Sequence, residues 1–376
     1  MNSEALLIVG TRPEAIKIAP IVLAMRGADA GLEPMICLTG QHPQLATEAL
    51  EVFGLTPDLL LDCVPAGGDL CLIAGRVLEA VGRLLAERSP KVVVVQGDTL
   101  SAYAGGLAAC LRQVPLAHVE AGLRSGCMHD PFPEEIARRQ LGGLATWHFA
   151  PTDAAVRNLL AEGTPSRSIH HVGNTVIDAM RIVRSGMPTA PMDNARTVLV
   201  TAHRRENWGA PLIRICVAIR RLAERNPDWR FVFSVHPNPA LQAVVARELG
   251  MCAAVERLDS PPYNEWVEQL VRCDLILTDS GGIQEEACAL GRPTLVLRET
   301  TERPEAVEAG TALIVGTQAA DIIEHAERIL GNAGIYARMA QPSAVFGDGH
   351  ASERIVDILS NAACSSPLAA FASIRS

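Results

Sequence analysis

The stretch Leu275-Ile276-Leu277-Thr278-Asp279-Ser280-Gly281-Gly282-Ile283-Gln284-Glu285-Glu286-Ala287 reads as a strand, a tight turn and the opening of a helix. Its apolar run suits a strand covered on both faces in a parallel sheet, and the amphipathic helical pattern after it ends at Gly291. A Ser-Gly-Gly turn in this position aims free backbone N–H groups and the positive end of a helix dipole at an anion. Adjacent glycines also let a phosphate come close to the backbone. The same residues serve equally well as an ordinary capped turn, because Ser and Gly are common caps. Glu285 and Glu286, one turn into the helix, either complement the dipole or reach a ligand hydroxyl while its anionic end occupies the N-terminus.

The rest of the chain repeats this rhythm. Short apolar runs at Leu6 to Val9, Met35 to Leu38, Val92 to Val95, Leu116 to Val119 and His148 to Ala150 alternate with helical patterns. A second series follows at Thr197 to Val200, Arg230 to Val235, Leu275 to Leu277, Thr294 to Leu297 and Ala312 to Val315. Such alternation defines an α/β chain with two doubly wound domains. The segment Arg184 to Arg196, RSGMPTAPMDNAR, holds two prolines and a glycine without apolar period, and is expected to link a first domain at 1–183 to a second at 197–350. A last helical pattern, Ala351 to Leu359, follows the break Gly347-Asp348-Gly349.

A length of 376 residues exceeds one ordinary core and fits two domains with a cleft between them. Charged residues at 20% and apolar residues at 48% describe a folded globular chain. The net charge is −9 and the Lys and Arg residues are scattered, so no surface that neutralises nucleic-acid phosphates is expected. No two of the ten cysteines lie within four positions, which excludes CxxC motifs, and they are expected as buried thiols in a reducing compartment. Glu4 stands where a signal peptide needs basic residues, and no apolar stretch approaches the ~20 residues of a membrane span, so a cytoplasmic protein is the default.

Other blocks also sit at strand ends. Gly10-Thr11-Arg12-Pro13-Glu14-Ala15-Ile16-Lys17 follows the first strand; Arg12 and Lys17 can reach phosphate oxygens, or the block is simply a helix start with Pro13 in its first turn. It fits neither GxGxxG nor GxxxxGK, so neither a dinucleotide site nor a P-loop is supported. Asp98 in Gly97-Asp98, Glu120 in His118-Val119-Glu120 and Glu134 in Pro133-Glu134-Glu135 surround the crevice outside the strands and can supply an acid and a base, although each type is also a routine cap or first-turn residue. His203, in Thr201-Ala202-His203-Arg204-Arg205-Glu206-Asn207, makes a cationic spot that suits an anionic leaving group or is merely solvated. Arg303, in Thr300-Thr301-Glu302-Arg303-Pro304-Glu305, stands at another strand-to-helix junction. His118-Val119-Glu120 imitates the HxE of zinc deaminases, but no PCxxC or HExxH occurs and no metal site is expected.

Taken in order, GTRPEAIK, QGD, HVEAGLR, PFPEE, GNTVID (Gly173 to Asp178), AHRREN, VHPNP (Val235 to Pro239), DSGGIQEEA and TTERPEA resemble the non-hydrolysing UDP-N-acetylglucosamine 2-epimerase family, from near residue 5 to about residue 355. The resemblance implies the glycosyltransferase-B fold: two Rossmann-like doubly wound domains with an interdomain active-site cleft, UDP held mainly by the second domain, and a C-terminal helix, about 351–376, packing back on the first. It implies interconversion of UDP-N-acetylglucosamine and UDP-N-acetylmannosamine without a cofactor, by a homodimer, for bacterial surface polysaccharide precursors. By position it makes Arg12, Lys17, His203, Ser280, Gly281, Gly282, Glu286 and Arg303 UDP-binding, with Trp266 beside the uracil. Asp98, Glu120 and Glu134 become the catalytic acids, with His203 counted beside them for the leaving group. Gln41, Gln44, Arg76, Glu134, Arg204 and His236 fall where bacterial members bind a second UDP-N-acetylglucosamine as activator. The family's usual HGD is Gln96-Gly97-Asp98 here, its Thr-rich run becomes Leu100-Ser101-Ala102-Tyr103 and QHR becomes Gln41-His42-Pro43, which alters the surroundings of the sugar and activator positions.

Chemistry narrows the route. Inverting C2 breaks a C–H bond that no carbonyl acidifies, and a redox route needs NAD, for which the chain has no fingerprint. The remaining route removes the C2 proton as the C1–O bond breaks, giving UDP and 2-acetamidoglucal; UDP then adds back with protonation on the other face. Donors at Ser280 to Gly282, Arg12, His203 and Arg303 suit the charge that develops on the diphosphate. Which of Asp98, Glu120 and Glu134 is the base stays open. Capture of the intermediate by water, sugar transfer to an acceptor and binding without turnover are the competing expectations.

Overall fold

The computed structural model describes residues 4–28, 31–64, 68–187, 195–235 and 238–364. One parallel sheet contains β1 (Glu4–Val9), β2 (Glu33–Leu38), β3 (Leu59–Leu60), β4 (Val92–Gln96), β5 (Leu116–Val119), β6 (Trp147–Ala150) and β7 (Ile169–His171), in the order β3-β2-β1-β4-β5-β6-β7. The other contains β8 (Arg196–Ala202), β9 (Trp229–Val235), β10 (Val255–Asp259), β11 (Leu275–Thr278), β12 (Thr294–Val296) and β13 (Ala312–Ile314), in the order β10-β9-β8-β11-β12-β13. Each is the Rossmann arrangement, with strand order reversing between β1 and β4 and again between β8 and β11. Loops leaving those four strands therefore border the crevice of their own sheet.

Helices cover these sheets, which is why residues 6–9, 92–95 and 275–277 are buried at every position. The sequence reading located ten of the strands and missed β3, β7 and β10. All three are sheet edges, where the residues are half-buried or exposed and no continuous apolar run is needed.

The chain divides into two compact units, Met1–Ile182 with Gly347–Ser376, and Val183–Phe346. In the first unit, helices Leu70–Arg88 and Leu100–Leu111 enclose Leu6, Ile8, Val93 and Val95. Helix Ala351–Cys364 packs on helix Arg12–Gly27. The buried Asp178 holds its start, accepting from Ala351 N at 3.2 Å and Ser352 N at 2.7 Å. In the second unit, helices Ala210–Arg225 and Ala319–Gly331 close over Val198, Val200, Phe231, Phe233 and Leu277. Of the expected linker and C-terminal helix, residues 188–194 and 365–376 lie outside the described residues.

No helix among the described residues is long and apolar enough to cross a membrane. The expectation of uniformly buried thiols is corrected: Cys37, Cys216, Cys273 and Cys288 are buried, but Cys71, Cys110 and Cys127 are exposed. Cys71 and Cys110 stand on solvent faces of helices, where an apolar neighbourhood in sequence does not mean an apolar neighbourhood in space.

Candidate functional site

In the first unit the acids gather where β4 and β5 end. Glu120 follows β5 and has φ +64°, a left-handed conformation uncommon for a residue with a Cβ and one that clusters at functional sites. Its carboxylate accepts from Lys17 Nζ at 2.8 and 2.7 Å, from Asn174 Nδ2 at 3.2 Å and from the Gln96 side-chain amide. The Lys17 and Glu120 side chains are 11% and 6% exposed, so this is a desolvated ion pair in which neither charge is easily left alone. In this structure the Lys17 ammonium pairs with Glu120; the resemblance assigns the same residue to UDP.

Asp98 belongs to the neighbouring turn. Gly97 takes the left-handed conformation this turn needs, φ +70°, and lies beside Glu120: a Cβ there would be in ordinary contact with Oε2, 3.5 Å away. The Gly97 carbonyl accepts a 2.7 Å bond from His118 Nε2. Burial pushes the His118 pKa down to about 3, so the ring is neutral, with its proton on the nitrogen that faces the carbonyl. Asp98 Oδ2 accepts from Arg138 Nε at 2.6 Å. Arg138 lies one turn along the helix Glu134–Leu144, so Glu134 opens the helix that neutralises Asp98. Beside it, the buried Glu135 anchors Ser125 N at 3.0 Å and Arg139 Nε at 3.1 Å. Arg12, half-buried, opens the helix after β1.

In the second unit, the loops leaving β8 and β11 are joined by Asp279. It is buried and accepts from His203 N at 3.2 and 2.9 Å, Arg204 N at 2.9 Å and Asn207 Nδ2 at 2.9 Å. Burial alone would raise its pKa, but the bond and charge of His203, with the Arg204 and Asn207 donors, hold it below the ordinary carboxylate value. His203 Nδ1 lies 3.1 Å from Asp279 Oδ1, which orients the ring.

Ser280 caps helix Gly281–Leu290 through its backbone conformation, with no side-chain cap bond. The guanidinium of Arg303 lies beside this helix start: a Cβ at Gly281 would be 3.5 Å from its Cζ, while one at Gly282 meets nothing within 4 Å. Arg303 is buried, paired with Glu285, and donates to the Glu302 carbonyl at 3.2 Å. Glu286 accepts from Tyr263 Oη at 2.7 Å and Trp266 Nε1 at 3.4 Å. A helix N-terminus, two glycines and a held guanidinium together make a site suited to phosphate.

The activator positions are spread along the chain. Gln41 Oε1 accepts from Ser101 Oγ at 2.8 Å, which ties it to the helix that follows Asp98. Gln44 is exposed and bonded to Glu48 at 3.1 Å, and Arg76 is exposed on helix Leu70–Arg88. Arg204 pairs with Glu302 at 3.0 Å, and His236 lies outside the described residues. Sequence reasoning gave no role to Gln96, Arg138, Asn174, Tyr263 or Asp279. Gln96, Asn174 and Asp279 lay inside quoted motifs, Gln96 as a departure that alters the surroundings of the sugar, but the distant pairing seen here leaves no local signal.

The architecture is that of the glycosyltransferase-B class: a glycosyltransferase from Streptomyces nogalater aligns over 96% of this chain and 100% of its own at TM-score 0.62 and 18% identity, a likeness of fold alone. The chain belongs to the UDP-N-acetylglucosamine 2-epimerase family, a family of isomerases, whose sequence signature matches residues 25–360. It is 41% identical to the UDP-N-acetylglucosamine 2-epimerase of Escherichia coli K12 over 371 residues, 95% of this chain and 98% of that one. The crystal structure of the UDP-GlcNAc 2-epimerase of Neisseria meningitidis bound to UDP-GlcNAc matches at TM-score 0.91 and 37% identity, over 95% of this chain and 99% of that one.

Proposed function

We propose that the chain interconverts UDP-N-acetylglucosamine and UDP-N-acetylmannosamine by elimination and readdition of UDP. The observation that carries this reading is the pair of carboxylates at adjacent strand ends, Glu120 against Lys17 and Asp98 against Arg138, each held ready beside its own cation. A base takes the C2 proton, the C1–O electrons leave with UDP, and a C1–C2 double bond forms. Readdition reverses these steps with the proton delivered to the other face. The second unit's Ser280, Gly281, Gly282 and Arg303 are assigned to the diphosphate, with His203, oriented by Asp279, and Arg12 as further donors. Glu286 and Trp266 are assigned to the nucleoside and Glu134 to the remaining acid role.

Incubation with UDP-N-acetylglucosamine in D2O tests this. Deuterium at C2 of both UDP-sugars with little free UDP is the expected result. Stoichiometric UDP with free N-acetylmannosamine means hydrolysis, and binding with no exchange removes the catalytic reading.

Three further expectations travel with it. A second UDP-N-acetylglucosamine acts as activator, supported by Gln41 being tied to the helix after Asp98; a sigmoidal dependence of initial rate on substrate tests this. The chain works as a cytoplasmic homodimer, read by light scattering and fractionation. The product supplies bacterial surface polysaccharide, tested by loss of that glycan on deletion. We also keep the division into 1–183, a linker at 184–196 and 197–350, supported by two compact units with similar limits.

A further inference from the structure

The Asp98 turn is also fastened by a group that this chemistry does not use. Glu14 occupies the third position of helix Arg12–Gly27, from which a glutamate commonly reaches back to the N-cap amide, and it does so: Thr11 N donates to Oε2 at 2.7 Å. Three features exceed a cap. Glu14 is 1% exposed. The same oxygen accepts from Gly10 N at 3.1 Å and Thr11 Oγ1 at 2.8 Å. The other oxygen accepts from Thr99 Oγ1 at 2.7 Å, across 85 residues of sequence. Thr99 in turn accepts from Ala102 N at 3.0 Å and so caps the helix after Asp98. One carboxylate thereby joins the exit of β1, which carries Arg12, to the exit of β4, which carries Asp98.

We infer that Glu14 is a positioning residue for the reaction, holding the turn at 97–99 against the turn at 10–11 so that Asp98 keeps its place between the Arg138 guanidinium and the Glu120 turn. The inference rests on the elimination reading above. Burial pushes the Glu14 pKa up to about 7 against the opposing pull of its hydroxyl and amide donors, so near neutral pH the carboxyl is close to half ionised. A cap made for stability alone needs one bond at the surface, not a desolvated carboxylate with four donors; a local conflict of this kind is what functional positions retain. Neighbouring bonds carry the same seam further, with Ser101 Oγ linked to Thr39 Oγ1 and Gln41 Oε1, both at 2.8 Å.

The test compares wild type, Glu14→Gln, Thr99→Val and Thr99→Ser for kcat, KM and C2 deuterium exchange with UDP-N-acetylglucosamine, alongside UDP affinity by calorimetry and a melting curve. Gln keeps the size of Glu but turns an NH2 group toward donors. Glu14→Gln is expected to lower kcat and exchange by about tenfold or more while UDP affinity stays within about threefold. Thr99→Val should show the same split, and Thr99→Ser, which keeps the hydroxyl, should recover exchange. Exchange in Glu14→Gln within about threefold of wild type overturns the inference, as does Thr99→Ser behaving like Thr99→Val. If Glu14→Gln does not fold, the Thr99 pair decides. Absence of exchange in wild type overturns the elimination reading and this inference with it, whereas the variant results overturn this inference alone.

Discussion

Replacing Lys17 by methionine asks whether its ammonium serves the protein or the nucleotide. The structure gives Nζ two contacts to Glu120, at 2.8 and 2.7 Å, in surroundings that leave the two side chains 11% and 6% exposed. Removing one partner of so buried a pair leaves a desolvated carboxylate without its cation, beside amides such as those of Gln96 and Asn174, and breaking such pairs costs about 3–5 kcal/mol. Glu120→Gln added to Lys17→Met removes the stranded charge and should restore at least half of the loss. The assay is hydrogen exchange of the β1 and β4 amides, which reports the free energy of opening within the first unit by itself. UDP affinity, measured by calorimetry, is expected to change less than about fivefold, or roughly 1 kcal/mol. A stability loss below about 1 kcal/mol together with UDP binding weakened more than about 30-fold refutes the reasoning and returns Lys17 to the diphosphate.

Two further outcomes follow from the same unit. His118 is buried and its pKa is pushed down to about 3 from 6.5, chiefly by desolvation, so its contribution to stability is complete above pH 6.5 and is lost as pH falls from there toward 3. Between pH 6.5 and 5 it accounts for a loss of about 2 kcal/mol, and equal pH slopes in wild type and His118→Gln would remove the argument. Gly10→Ala places a Cβ 2.2 Å from Ser101 Oγ and 2.5 Å from Ser101 Cβ; a loss of about 1–3 kcal/mol is expected, largely recovered by Ser101→Gly, and denaturation of the single and double variants checks it.

Ten strands, the two-sheet α/β architecture and the family were readable from sequence because each has a local signature. An inner strand of a parallel sheet must be apolar at successive positions, and a turn that admits an anion must carry small residues before a helix. Three of the four edge strands, such as β7, Ile-His-His at 169–171, carry no such run and went unread. At the site, Asp98, Glu120 and Glu134 could be picked out because acids just after a strand or at a helix start are visible in one dimension. Their electrostatic partners could not: Lys17 meets Glu120 across 103 residues, Asn174 meets it across 54, and Arg138 meets Asp98 across 40. A strand's position depends on its own few residues, whereas the state of a buried carboxylate depends on whichever donors the fold brings to within about 3 Å, and only the tertiary structure decides those.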